Sequence, residues 1–245
     1  MKTSLTLVFF LLFTSISFAA GHSVDYQVND KFYQGYYLSP AKDAPLVLMI
    51  HDWDGLTDYE VKRAEMLAEM GYATFAADMF GKDVRPTEVA DKKKLTGELY
   101  KDRVKMRALL NGALAAAKAQ GANVDNAVAI GYCFGGAVTL EFARSGVPLK
   151  GFVSFHGGLT SPEGQNYTQT QGNILILHGT ADAAVSMQDF ANMAMELEKT
   201  KIPHEMITYS GAPHAFTVFG SDRYRKDADE KSWRRFSEYL QETLR

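Results

Sequence analysis

An α/β fold, with a mostly parallel central sheet, helices on both of its faces and an antiparallel hairpin at its start, is predicted by three features of the sequence. Short apolar runs alternate with helix-period segments from Leu46 onward, the rhythm of βα units. Most of these runs are unbroken rather than alternating, as strands buried on both faces must be. Each is bounded by Gly, Pro, Asp or Asn, residues that close strands and open turns.

The elements follow in order. The opening "MKTSLTLVFFLLFTSISFAAGHS" has a lysine, an apolar run from Leu5 to Phe13, then small residues, the layout of a secretory signal peptide. It is too short and wrongly flanked to span a membrane. Ser17 and Ala19 suit the −3 and −1 positions, so cleavage is expected after Ala19. That leaves 20–245 as one domain of an exported protein, periplasmic or secreted. "VDYQVNDKFYQGYYLSP" reads as a hairpin turning at Asn29-Asp30. The sheet strands are read at 46–51, 72–78, 127–132, 151–156, 174–178 and 204–210. Between them, "YEVKRAEMLAEMG" ends at a glycine suited to a left-handed cap, and "SMQDFANMAMELEK" begins on a capping serine. One or two helices are expected between Thr87 and Ala119, with Val104, Leu109, Leu110 and Leu114 near helical spacing. The last helix aligns Trp233, Phe236, Leu240 and Leu244 into one apolar stripe.

Composition narrows the partners. The formal charge is −3, and 26 basic residues are interspersed with 29 acidic ones, which argues against nucleic-acid binding. The run "DKKKL" (91–95) reads as a solvated helix face. No later segment reaches membrane-spanning length, so no membrane association is expected after signal removal, and a monomer is favoured. The single cysteine, Cys133, has no partner for a disulfide within the chain. No HExxH pattern or paired cysteine set occurs, so neither a metal nor another cofactor is expected.

Cys133 lies in "AVAIGYCFGGAVTL", an apolar strand running through Gly-x-Cys-x-Gly-Gly straight into a helix. This is the pattern of the nucleophile elbow of α/β-hydrolases, in which Gly131 and Gly135 let strand and helix approach and the central side chain projects from the turn. The nucleophile of that fold is followed in sequence by an acid and then a histidine. Asp182, in the loop after "ILILHGTADAAV", and His214, in "YSGAPHAF", fit that order beyond the carboxyl ends of strands. His178 more naturally shapes its loop, His156 ends a strand from which it could reach the pocket, and His204 and His22 read as solvent-facing. A free thiol is only a few per cent ionised at neutral pH, and lowering its pKa by two to three units requires roughly 3–4 kcal/mol. A helix N-terminus supplies about 0.3–2 kcal/mol. An imidazolium steadied by a carboxylate has to provide the rest.

The motifs "GYCFGGA", "HGTADAAV", "GAPHAF" and "IHDWDGLTDYEVKRAEMLAEMGYATFAADMFG" together resemble the dienelactone hydrolase family, a Cys-His-Asp branch of the α/β-hydrolases. The resemblance implies Cys133 as nucleophile, His214 as general base and acid, and Asp182 as the residue that orients the histidine. It also implies a small ester or lactone substrate. Asp52 stands where the family carries a glutamate that contacts the resting thiol and is displaced by substrate, so Asp52 is expected to gate the thiol. By position, the backbone N–H groups of Trp53 and Phe134 should form the oxyanion hole. His51, Phe80, Phe216 and Val218 are expected to line the pocket. Two of these depart from the family pattern, Val218 replacing an arginine that binds the substrate carboxylate and Phe80 a tyrosine; Arg223 and Arg225 read as surface residues. A non-catalytic small-molecule-binding protein on the same fold and a redox-responsive thiol protein are the alternatives left open.

Overall fold

The computed structural model describes residues 20–244; the expected signal segment 1–19, with Ser17 and Ala19, lies outside the described residues. β1 (His22–Val28) and β2 (Lys31–Leu38) pair antiparallel with Val28 opposite Lys31, so the turn is the two residues Asn29 and Asp30. Asn29 adopts a φ of 53°, the left-handed conformation such a tight turn demands. Six further strands follow: β3 (Pro45–Ile50), β4 (Ala73–Ala77), β5 (Asn123–Tyr132), β6 (Gly151–Phe155), β7 (Asn173–Gly179) and β8 (His204–Tyr209). The sheet order is β1-β2-β4-β3-β5-β6-β7-β8; β2 joins β4 antiparallel and every pair from β4 to β8 is parallel. This order and pairing, parallel strands behind an N-terminal antiparallel hairpin, are those of the α/β-hydrolase fold.

Six helices flank the sheet among the described residues: α1 (Asp58–Glu69), α2 (Val89–Lys101), α3 (Arg103–Ala119), α4 (Phe134–Arg144), α5 (Met187–Thr200) and α6 (Lys226–Thr243). α1 starts with a capping box in which Glu60 accepts from the Thr57 N–H at 2.8 Å, and the chain leaves it at Gly71 with a φ of 93°. Ser186 and Asp189 build the same device for α5. The segment from Thr87 to Ala119 forms two helices. They break at Asp102, which ends α2 and whose carboxylate caps α3 by accepting from the Lys105 N–H.

Alternation along the strands divides the core into two layers. Leu46, Leu48 and Ile50 of β3 face a layer with α3, α4 and α5, whereas Val47 and Met49 face a layer with α1 and α6. Phe236 and Leu240 of the last helix are fully buried in the second layer, with Leu244 nearly so and Trp233 packed at its edge. Arg63 of α1 and Asp229 of α6 form a buried ion pair across that layer, and the guanidinium lies 4.3 Å from the Phe219 ring centroid and 4.8 Å from that of Trp233.

Three readings of side-chain placement are corrected. Val104 is 81 % exposed, because it lies on the face of α3 opposite the buried Met106, Leu109 and Leu110. Lys92 of the "DKKKL" run turns inward to an ion pair with Asp54 and lies 5.4 Å from the Trp53 ring centroid. His204 is half-buried, its Nδ1 bonded to the Ile202 carbonyl at 2.7 Å, since β8 closes the sheet under the end of α5.

Candidate active site

The sulfur owes its position to the turn between β5 and α4. Cys133 has φ 52° and ψ −111°, outside the regions an L-residue favours, and such a conformation costs about 1–3 kcal/mol. Hydrogen bonds on both sides hold it: its N–H donates to the Phe155 carbonyl at 3.0 Å, and its own carbonyl accepts from Gly136 N–H at 3.1 Å. The glycines are required by contact. A Cβ on Gly131 would lie 2.0 Å from the Gly135 oxygen, and one on Gly135 would lie 2.3 Å from the Ile50 oxygen. Strand β5, helix α4 and the end of β3 therefore meet backbone to backbone, and the Cys133 side chain points outward.

Three loops at the carboxyl end of the sheet complete the arrangement. Asp182 lies just beyond β7, where its Oδ1 accepts from the N–H groups of Ala184 (2.8 Å) and Val185 (2.9 Å). Its Oδ2 lies 2.8 Å from Nδ1 of His214, in the loop after β8, and His214 Nε2 lies 3.0 Å from Cys133 Sγ. Burial favours the neutral imidazole, yet the bonds and charges of Asp182 and Cys133 outweigh it and push the His214 pKa up to about 10. Burial likewise pushes the Asp182 carboxyl upward, but the His214 bond and charge, with the two N–H donors, hold it below its ordinary range. At neutral pH His214 is an imidazolium that donates one N–H to the carboxylate and the other to sulfur.

A cavity of about 470 Å³ opens over the sulfur. Its walls include Asp52 and Trp53 from the loop after β3, Thr96 and Tyr100 from α2, Phe134, Val185, His214 and Arg223. Phe134 opens α4, so its N–H has no partner within the helix, and among the described residues no backbone acceptor takes up the N–H of Phe134 or of Trp53. A second cavity of about 260 Å³ shares Tyr100, Gly158, Ala184 and Val185 with the first and adds Arg103 and Arg144.

The expected pocket residues are placed differently. His51 is fully buried beneath the floor, its Nε2 accepting from the Met79 N–H at 3.1 Å and its ring 4.7 Å from that of Phe80. Phe80 backs Phe134, Phe216 packs into the lower layer between Tyr209 and His156, and Val218 is not among the cavity walls. Tyr100, Thr96 and Val185 take those places. Arg223, read as surface, is exposed but lines the cavity mouth. The anticipated resting contact between Asp52 and the thiol is not formed: Asp52 Oδ1 accepts from the Asp54 N–H at 2.8 Å, and the sulfur bonds to His214. Burial pushes the Asp52 pKa up to about 6, and burial with the nearby Asp52 charge pushes that of Glu60 to about 8. His156 does reach the site from beneath, its ring centroid 5.3 Å from that of His214. Among the described residues no group of three or more His, Cys, Asp or Glu is placed to hold a metal, and no helix is long and apolar enough to cross a membrane.

Comparison with known proteins places this site in context. The model of the dienelactone hydrolase family matches residues 33–244. A provisionally named carboxymethylenebutenolidase of Escherichia coli (strain K12) is 24 % identical over 208 residues, covering 81 % of this chain and 77 % of that protein. Another so named, from Saccharolobus solfataricus, is 29 % identical over 165 residues, 67 % of this chain and 60 % of its own length. Among solved structures, a dienelactone hydrolase-like promiscuous phosphotriesterase from metagenomic libraries is 30 % identical with a TM-score of 0.85, covering 92 % of this chain and 99 % of its own. A provisionally assigned dienelactone hydrolase of Klebsiella pneumoniae, at 19 % identity and a TM-score of 0.81, shares the fold over 90 % of this chain and 98 % of its own.

Proposed function

We propose, since the chain belongs to the dienelactone hydrolase family, that this hydrolase is exported and cleaves small esters or lactones through an acyl intermediate on Cys133. The observation that carries the reading is the Sγ···Nε2 contact of 3.0 Å continued by Nδ1···Oδ2 at 2.8 Å, at the base of a cavity of about 470 Å³. Sulfur attacks the carbonyl carbon as thiolate, and the oxygen that gains charge meets the Trp53 and Phe134 N–H groups. As the tetrahedral intermediate collapses, the C–O bond to the leaving group breaks and His214 Nε2 gives its proton to the departing alkoxide.

The electrostatics then reset themselves. Two of the influences that raise the His214 pKa come from Cys133, its hydrogen bond and its charge. Both are lost once sulfur carries an acyl group, so the pKa of the histidine falls after it gives up its proton. Neutral Nε2 takes a proton from water, the hydroxide forms a bond to the acyl carbon, and the C–S bond breaks to return the thiolate beside an imidazolium. Asp182 keeps the ring oriented throughout.

Mass spectrometry of protein quenched during turnover of a p-nitrophenyl acyl ester tests the reading. The expected result is an acyl adduct on Cys133 in the wild type, none in Cys133→Ala, and almost none in His214→Ala. Binding without an adduct would instead identify a non-catalytic binding protein. Phosphotriesters are a second substrate class, supported by the phosphotriesterase neighbour at 30 % identity; p-nitrophenol release from a neutral phosphotriester, lost in Cys133→Ala, is the check. Export rests on the lysine, apolar run and small residues of 1–19. A mature protein beginning at Ala20 supports it, and one retaining Met1 refutes it.

A further inference from the structure

The loop that carries His214 is fastened from below at one residue. Ala215 takes a φ of 62°, Phe216 is fully buried, and Thr217, also fully buried, engages both α1 and the end of β6. Its carbonyl accepts from Arg63 Nη2 at 3.0 Å. Its hydroxyl lies 2.8 Å from the Tyr59 hydroxyl and 2.8 Å from Nε2 of His156, and Arg63 Nε donates to the same Tyr59 hydroxyl at 3.2 Å.

The bonds run from Arg63 through Tyr59 and Thr217 to His156. A guanidinium has donors only, so Arg63 donates to the Tyr59 oxygen. The Tyr59 hydroxyl bonds Thr217 Oγ1, Thr217 Oγ1 bonds His156 Nε2, and His156 Nδ1 is buried without a partner among the described residues. Burial and the nearby positive His214 hold the His156 ring well below its ordinary pKa, so the ring is neutral. The ring that faces His214 at 5.3 Å is thereby uncharged and fixed in rotation.

We propose that Thr217 is a positioning residue for His214: by bonding His156 Nε2 through its hydroxyl it keeps an oriented, uncharged ring against the histidine that serves Cys133. This rests on the reading of Cys133 and His214 as a working pair. Thr217→Val keeps the shape and the backbone bond to Arg63 but removes the hydroxyl, leaving the Tyr59 hydroxyl only its bond from Arg63 and His156 Nε2 without its bond to Thr217. Thr217→Ser keeps the hydroxyl.

Two rates are measured at pH 7: alkylation of Cys133 by iodoacetamide, and turnover of a p-nitrophenyl ester. In Thr217→Val both alkylation and kcat are expected to fall by about tenfold or more, with KM within about twofold, as misplacement of a reacting group produces. Thr217→Ser is expected to restore most of each. Wild-type rates in Thr217→Val, a parallel loss of kcat and substrate binding, or failure of serine to rescue would each overturn the proposal. Should Thr217→Val not fold, His156→Phe removes the nitrogen at the other end of the same bond while keeping a ring there; reduced alkylation in that variant supports the proposal and an unchanged rate refutes it. Alkylation needs no ester, so a protein that alkylates rapidly but turns over no ester refutes the hydrolase reading and leaves this test standing.

Discussion

Gly135 shows how little freedom one position can have. A methyl group there would press within 2.3 Å of the Ile50 carbonyl and 2.5 Å of that of His51, both backbone atoms that cannot swing aside. Gly135→Ala should therefore cost about 1–3 kcal/mol or more in urea unfolding and slow alkylation of Cys133, because β3 and α4 would have to separate. The charge of Asp52 is a second residue-scale determinant. With its pKa near 6, this cavity-wall carboxyl is neutral below that pH and negative above it. KM for carboxylate-bearing esters should rise as pH passes upward through about 6, KM for neutral esters should not, and Asp52→Asn should remove the difference. The His214–Asp182 pair has its own window. His214 is raised from 6.5 to about 10 and Asp182 is lowered, so their mutual stabilisation is whole between about pH 4 and 6.5 and fades as pH climbs through 10. The Tm advantage of wild type over Asp182→Asn should shrink over that upper range.

At the scale of elements, the sequence was most legible where a local pattern carries its own geometry. Gly-x-Cys-x-Gly-Gly specifies a turn that projects one side chain, and Asp182 and His214 follow strand ends that could be read from unbroken apolar runs. The cavity wall was far less legible. Whether Phe80 or Tyr100 faces the cavity depends on how α2 folds back across the sheet edge, and no spacing within α2 encodes that path. Phe216 and Val218 sit beside His214 in sequence, but the left-handed Ala215 turns the chain so that Phe216 enters the core. Tyr100 is the bulkiest of the four residues that line both cavities, its ring centroid 5.5 Å from that of Phe134 and 4.9 Å from the Arg103 guanidinium. Tyr100→Ala should join the cavities and move ester preference toward longer acyl chains, read as the ratio of kcat/KM for octanoate to that for acetate.

Across the whole molecule, two helical layers cover one sheet, and within one of them the buried Arg63–Asp229 pair ties α1 to α6. Arg63→Met should lower unfolding free energy by about 3–5 kcal/mol, since it strands the Asp229 carboxylate in the core. The layer assignment itself was readable from the tandem of apolar strands and amphipathic helices; the ion pair was not, because 166 residues separate its members and neither carries a local signature. The same separation in sequence governs the reactive centre. Cys133 and His214 stand 81 residues apart, and β6, β7 and β8 must all be laid down before they meet. On the proposed reading, a growing polypeptide carries its sulfur unarmed until its last strand docks, so an unfinished or clipped copy is expected to be chemically quiet toward the acyl compounds around it.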